Sequence, residues 1–312
     1  MVEISVAGID SVVDTALWVW FALTVLSVVY VAYDAVLTSR TEMNVMKWSW
    51  VLVTLYAGPV GLILYGFSRR GPLPEENEKS VAPLWKQSIE STIHCLAGCA
   101  TGVIVAVMVA SLLRLPSGLE TIMEYVASFV LGLFIFQALL AKKMMGCSYG
   151  QAVKLSCLSL GLSTNAVMAG MIPVMVILMS HDMHTMELAW LHFWGILSLG
   201  LLVGTALAYP VNWWLVKNGL QPGMSGMKRE DRNPTIFAAS KLAVTLVTLM
   251  MLAGGVALAA RYGDLSITLV QDNFSEKRWR PNNTRGAINP HFHCELHLRI
   301  FESPSSSRVI GV

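Results

Sequence analysis

Trp48–Phe67 reads WSWVLVTLYAGPVGLILYGF, twenty consecutive residues without a charge. A hydrocarbon core about 30 Å thick is crossed by a helix of about 20 mainly apolar residues. This stretch therefore predicts a membrane span, and the rest of the chain repeats its character. The span is read as 47–67, and comparable runs occupy roughly 13–37, 88–113, 120–141, 155–180, 190–216 and 235–260. Together they predict an all-α, polytopic membrane helix bundle of about seven transmembrane helices. The runs are continuous rather than alternating, which favours helices over a barrel, and a helix satisfies its backbone groups internally.

Composition agrees. Of 312 residues 54% are hydrophobic and only 13% charged, with a mean hydropathy of +0.58. A soluble domain carries roughly 25% charged residues. A soluble enzyme, a disordered chain and a disulfide-rich secreted module are all excluded. The net charge of +2 and the lack of a dense basic patch argue against nucleic acid. No cleavable signal peptide is expected, because Met1–Asp14 has no basic leading region and carries Glu3, Asp10 and Asp14.

Lysine and arginine set the expected orientation. With seven spans, the even-numbered connections hold twelve of them and the odd-numbered ones three, Arg40, Lys47 and Arg114. The positive-inside rule then predicts an inner-membrane protein with a cytoplasmic N-terminus and an extracytoplasmic C-terminus. One feature runs against this: the N-terminal segment is acidic and the first connection mildly basic. The expected organisation is an N-terminal pair of spans (1–70), a cytoplasmic linker (71–87), a five-helix core (88–260) and a polar tail (261–312). The tail lacks an apolar run able to span a membrane or build a core, and it reads as unstructured. Its His291, His293, Cys294, Glu295 and His297 form a weak divalent-metal pattern.

Soft ligands stand out next. Six of the 17 methionines fall between 168 and 186. At about 100° per residue, Cys157, Gly161, Thr164, Met168, Met171, Met175 and Met179 share one helical stripe. Beyond it come His181, Met183, His184 and Met186. Thioether and thiolate suit Cu(I), and imidazole accepts either copper state. A second constellation, His94-Cys95-Leu96-Ala97-Gly98-Cys99, puts two thiols four residues apart on one face. His94 points about 100° away, and Glu90 lies one turn before it, placed to orient its ring. Met144, Met145, Cys147 and Cys157 would extend a path to the cytoplasmic mouth. Methionine and cysteine are also ordinary packing residues, and Gly98-x-x-x-Gly102 is a close-packing signature. Gln137 and Asn165 read as interhelical hydrogen-bonding groups.

Other chemistries fail on their own terms. A phosphate-cradling glycine motif, a Cys-x-x-Cys pair and a His-Glu-x-x-His helix are all missing from the sequence. No catalytic or organic-cofactor residue is assigned.

The stretches His94–Cys99, Trp190-Leu191-His192-Phe193-Trp194 and Tyr209-Pro210-Val211-Asn212-Trp213-Trp214-Leu215-Val216, with Asn233-Pro234-Thr235, resemble a known family. It is the prokaryotic integral-membrane family catalogued as domain of unknown function 4396. The resemblance runs over roughly residues 81–266 and implies a multi-helix inner-membrane protein without assigned catalytic residues.

The expected function is Cu(I) binding, transport or delivery. His181, Met183, His184 and Met186 would capture the ion, Met179, Met175, Met171 and Met168 relay it, and Cys99, Cys95 and His94 receive it. The implied partners are the lipid bilayer and a metal chaperone or a membrane oxidase. Two alternatives stand beside it: a non-catalytic membrane scaffold or assembly subunit, and a thiol-based membrane oxidoreductase.

Overall fold

The apolar runs resolve into helices in a computed structural model that describes residues 2–37, 44–69, 83–181, 191–221, 234–263 and 265. In chain order these are α1 (Val2–Leu37), α2 (Asn44–Ala57), α3 (Pro59–Arg69), α4 (Leu84–Leu113) and α5 (Ser117–Leu131). A π-helical turn (Gly132–Gln137), α6 (Ala138–Met145), α7 (Tyr149–His181), α8 (Leu191–Lys217) and α9 (Pro234–Tyr262) follow. Among the described residues six spans are long and apolar enough to cross a membrane, with α5, the π turn and α6 making one of them. The chain is a multi-pass membrane bundle. Its outer helices show why: Trp18 on α1 is 67% exposed and Met250 on α9 is 74% exposed. Lipid is the solvent that tolerates such a surface.

The remaining apolar run, 47–67, is two short helices, not one long one. Gly58 adopts φ +60, a left-handed conformation that glycine enters without steric cost. Pro59 then opens a new helix at the position where its missing N–H is harmless. The chain turns back on itself. Gly61 packs so closely on Thr54 that a Cβ on the glycine would come 2.6 Å from Thr54 Cα. Further from the tip, the rings of Trp50 and Tyr65 meet edge-on at 5.4 Å. Both pairs are equidistant from the tip, so α2 and α3 form an antiparallel hairpin.

Its depth is fixed by its neighbours. The tip at Gly58 abuts Trp20 and Thr24 of α1. Tyr56 Oη lies 3.2 Å from Thr101 Oγ1, midway along α4. The open end is tied by Tyr65 Oη donating to Asp34 Oδ2 and by Ser68 Oγ donating to Glu90 Oε1 at 3.3 Å. At the opposite end of α1, Asp14 Oδ1 lies 3.3 Å from His192 Nε2, in the first turn of α8. Gly263, just past α9, packs against Val176 and Ser180 at that same end. Asp14 and Gly263 therefore stand at one end of the bundle. The expectation of termini on opposite sides rested on counting 47–67 as a seventh span, whereas the structure gives this run as a hairpin.

α7 is the hub. Every residue from Leu162 to Ile172 is buried. Small residues let its neighbours approach: a Cβ on Gly204 of α8 would lie 2.5 Å from Val167 O, and one on Gly255 of α9 would overlap Ala169 O. Such contacts drive helix association in lipid, where no hydrophobic force separates helix from acyl chain. Pro173 and Pro210 lie inside α7 and α8.

Candidate functional site: a buried thiol pair

Cys95 and Cys99 lie one helical turn apart on the same face of α4. Their sulfur atoms are 3.8 Å apart, and the residues are 1% and 0% exposed. Three elements close over them. From α7, Thr164 Oγ1 lies 3.4 Å from Cys99 Sγ, and Ser163 lies beside Cys95. From α8, Asn212 Nδ2 donates to Ser163 Oγ at 2.9 Å. From α5, Ser128 Oγ donates to Cys99 O at 2.9 Å. Leu133 of the π turn and Leu160 of α7 complete the apolar wall.

The close approach of α4 and α5 follows from their small residues. A Cβ on Gly98 would come 2.8 Å from Gly132 Cα, and one on Gly102 would overlap the Ser128 backbone. The π turn begins at Gly132 and is supported from outside, where Tyr149 Oη donates to Phe134 O at 2.8 Å. Single π turns inside α-helices recur at functional sites.

The other expected ligands distribute differently. His94 is fully buried, but its ring faces Phe136 edge-on, with centroids 6.1 Å apart. Neither ring nitrogen has a hydrogen-bond partner among the described residues. Glu90 engages Ser68 and does not orient the imidazole. Among the described residues, no three His, Cys, Asp or Glu side chains gather in a metal-binding group.

Met168, Met171 and Met175 are buried, at 0%, 0% and 4% exposure. They pack in the main core around α7, together with the partly buried Met179, whereas the thiols sit in a separate small cluster. Cys157 is exposed and starts no interior stripe. Met144 and Met145 are exposed and Cys147 is partly so, leaving no continuous soft path to that end. The side chain of His181, and all of Met183, His184 and Met186, lie outside the described residues. So do the tail histidines, Cys294 and Glu295.

Of the two polar expectations, Asn165 makes its bond between helices, whereas the partner of Gln137 lies beyond the end of α8. Asn165 Oδ1 accepts from Tyr125 Oη at 2.7 Å, and Gln137 Oε1 accepts from Gln221 Nε2 at 3.5 Å. Sequence reasoning missed Ser163, Asn212 and Ser128. Their signal was present as polar residues within apolar spans, but small hydroxyls abound in membrane helices and pick out no partner by themselves.

No curated protein matches the chain, and no solved structure matches it. The family match begins at the first residue of α4, ends four residues beyond α8, and so encloses the whole thiol site while leaving out the α2–α3 hairpin. It stops short of Asn233-Pro234-Thr235. Residues 84–221 match the family described as "Domain of unknown function (DUF4396)", and over this part the chain is similar to that family.

Proposed function

We propose that the Cys95–Cys99 pair binds a soft monovalent metal ion, with Cu(I) the best chemical fit, inside this membrane bundle. The observation that carries the reading is the 3.8 Å separation of two fully buried sulfurs on one helix face. Two thiolates suit Cu(I), whereas a structural zinc site requires four ligands. The proposed ligand set is therefore the two thiols, with His94 left to pack against Phe136. Handover from the methionine-rich region passes by Thr164, one turn before Met168 on α7. Capture at His181, Met183, His184 and Met186, and exchange with a metal chaperone or a membrane oxidase, belong to the same proposal.

A second reading has its own support. Cys95 and Cys99 are walled by Leu133 and Leu160, as cysteines serving only as small apolar residues would be. This is the membrane scaffold. A thiol oxidoreductase is less well served, because a disulfide needs sulfurs about 2.05 Å apart and this pair stands one regular helical turn apart.

Metal analysis of protein purified in detergent from copper-supplemented cells separates these readings. About one copper per chain is expected, sulfur-coordinated by X-ray absorption and lost in Cys95→Ser with Cys99→Ser. Metal-free wild-type protein would overturn the copper reading and leave the scaffold.

A further inference from the structure

We propose that residues 44–69 form a re-entrant hairpin lodged in the cytoplasmic leaflet alone, so that the start of α1 and the end of α9 both face the extracytoplasmic side. The geometry supplies the first half. The hairpin's open end is pinned beside Asp34 and Glu90, and its tip reaches Trp20 and Thr24 of α1. Those two residues lie near the centre of the Val12–Ala35 span. α2 has 14 residues and α3 has 11. At about 1.5 Å per residue neither crosses a core about 30 Å thick, whereas each reaches its middle.

The backbone at such a tip needs protein cover, because lipid satisfies no free N–H or carbonyl. The tip has that cover: Gly61 N donates to Gly58 O at 3.0 Å, while Trp20, Thr24 and Thr54 enclose the turn. On the other flank Leu55, Ile63 and Phe67 are 50%, 55% and 56% exposed. That edge fits the acyl chains of one leaflet.

Charge assigns the leaflet. With a hairpin in place of a crossing, the α1–α2 connection moves to the same side as the α3–α4, α6–α7 and α8–α9 connections. Arg40 and Lys47 join the twelve basic residues already there, and Arg114 is left alone among the connections of the other side. The positive-inside rule then makes the basic side cytoplasmic and matches its charge to anionic lipid headgroups. The acidic N-terminal segment, with Glu3, Asp10 and Asp14, falls outside, and the conflict left by a seven-span count disappears.

The test uses the full-length chain in cells, with Cys147→Ser, Cys157→Ser and Cys294→Ser as background. Lys47→Cys and Gly66→Cys are labelled separately with a membrane-impermeant maleimide. Gly66 has open space where a side chain would go, so the substitution is accommodated. Lys143→Cys and Arg114→Cys report the two faces. Both hairpin positions should label only after permeabilisation, as Lys143→Cys does, and Arg114→Cys should label in intact cells.

A second measurement does not depend on water access. In the double variant, a short bis-maleimide should join positions 47 and 66 within one chain. A continuous helix would hold these positions about 28 Å apart, at about 1.5 Å per residue, and would prevent the link. Labelling from opposite faces, or no intramolecular link, overturns the proposal. An epitope at the N-terminus digested only after permeabilisation overturns its orientation. Neither readout involves metal, so failure here leaves the copper reading standing, and the reverse also holds.

Discussion

Pro59 and Pro173 occupy apolar runs of similar character, yet one begins a reversal of the chain and the other rides inside an unbroken helix. The difference lies in what surrounds them. Pro59 follows Gly58, which takes up φ +60 and ends α2 at once. Pro173 follows Ile172 in the middle of α7, where a left-handed residue would be strained. A proline within a helix frees the carbonyl four residues earlier, here Ala169 O. Gly255 of α9 sits directly against that oxygen, where its Cα–H can serve as a weak donor. α7 thus continues through its proline among close-packed neighbours, while the hairpin has a glycine that lets it turn.

This contrast can be broken most severely at the contacts that brace α7. Gly255→Val places a branched side chain on Ala169 O, and forced overpacking of this kind costs about 3 kcal/mol. Unfolding in detergent micelles should show α9 detaching and a large drop in the transition temperature. Unchanged stability would mean that α9 is not seated through Gly255.

At the hairpin the effect should be intermediate. Gly58→Ala puts a Cβ at positive φ, 2.8 Å from Thr24 Oγ1 and from the Trp20 ring. The strain and overlap should cost about 2 kcal/mol. Gly66→Ala is the matched control, since nothing lies within 4 Å of a Cβ there. It should be neutral or stabilise by about 0.5–1 kcal/mol, as alanine does relative to glycine within a helix. Equal losses at the two glycines would refute the turn geometry.

The smallest change is expected at Pro173→Ala, within about 1 kcal/mol. The restored N–H regains a hydrogen bond worth about 1 kcal/mol, in competition with the contact already made by Gly255. A large gain in stability would show that the proline strains α7 and that its neighbours do not compensate.

The sequence exposed some features of the site and hid others. Cys95 and Cys99 were legible as a pair because helical periodicity alone puts residues four apart on one face. His94 looked like their companion, yet its ring turns toward Phe136, a residue 42 positions away that no local pattern selects. The methionine stripe was legible as periodicity but not as a path. Met168, Met171 and Met175 are buried because α7 is surrounded on every side, so burial there does not distinguish a soft-metal route from packing.

By itself the amino-acid sequence determined that the chain is a helical membrane bundle, where the long spans lie, and where prolines and thiols fall along them. Apolar length and few charges are local properties, and the bilayer rewards them whatever the partners. Tertiary structure decided that Trp48–Phe67 reverses at Gly58, and that Asp14 and Gly263 stand at the same end of the bundle. It also decided that two sulfurs, two hydroxyls and an amide meet at one point. The physical reason is that a glycine at positive φ and a close helix contact gain their meaning from residues distant in the chain. Trp20 and Thr24 cover the Gly58 turn, and Ser128 admits the approach of Gly102.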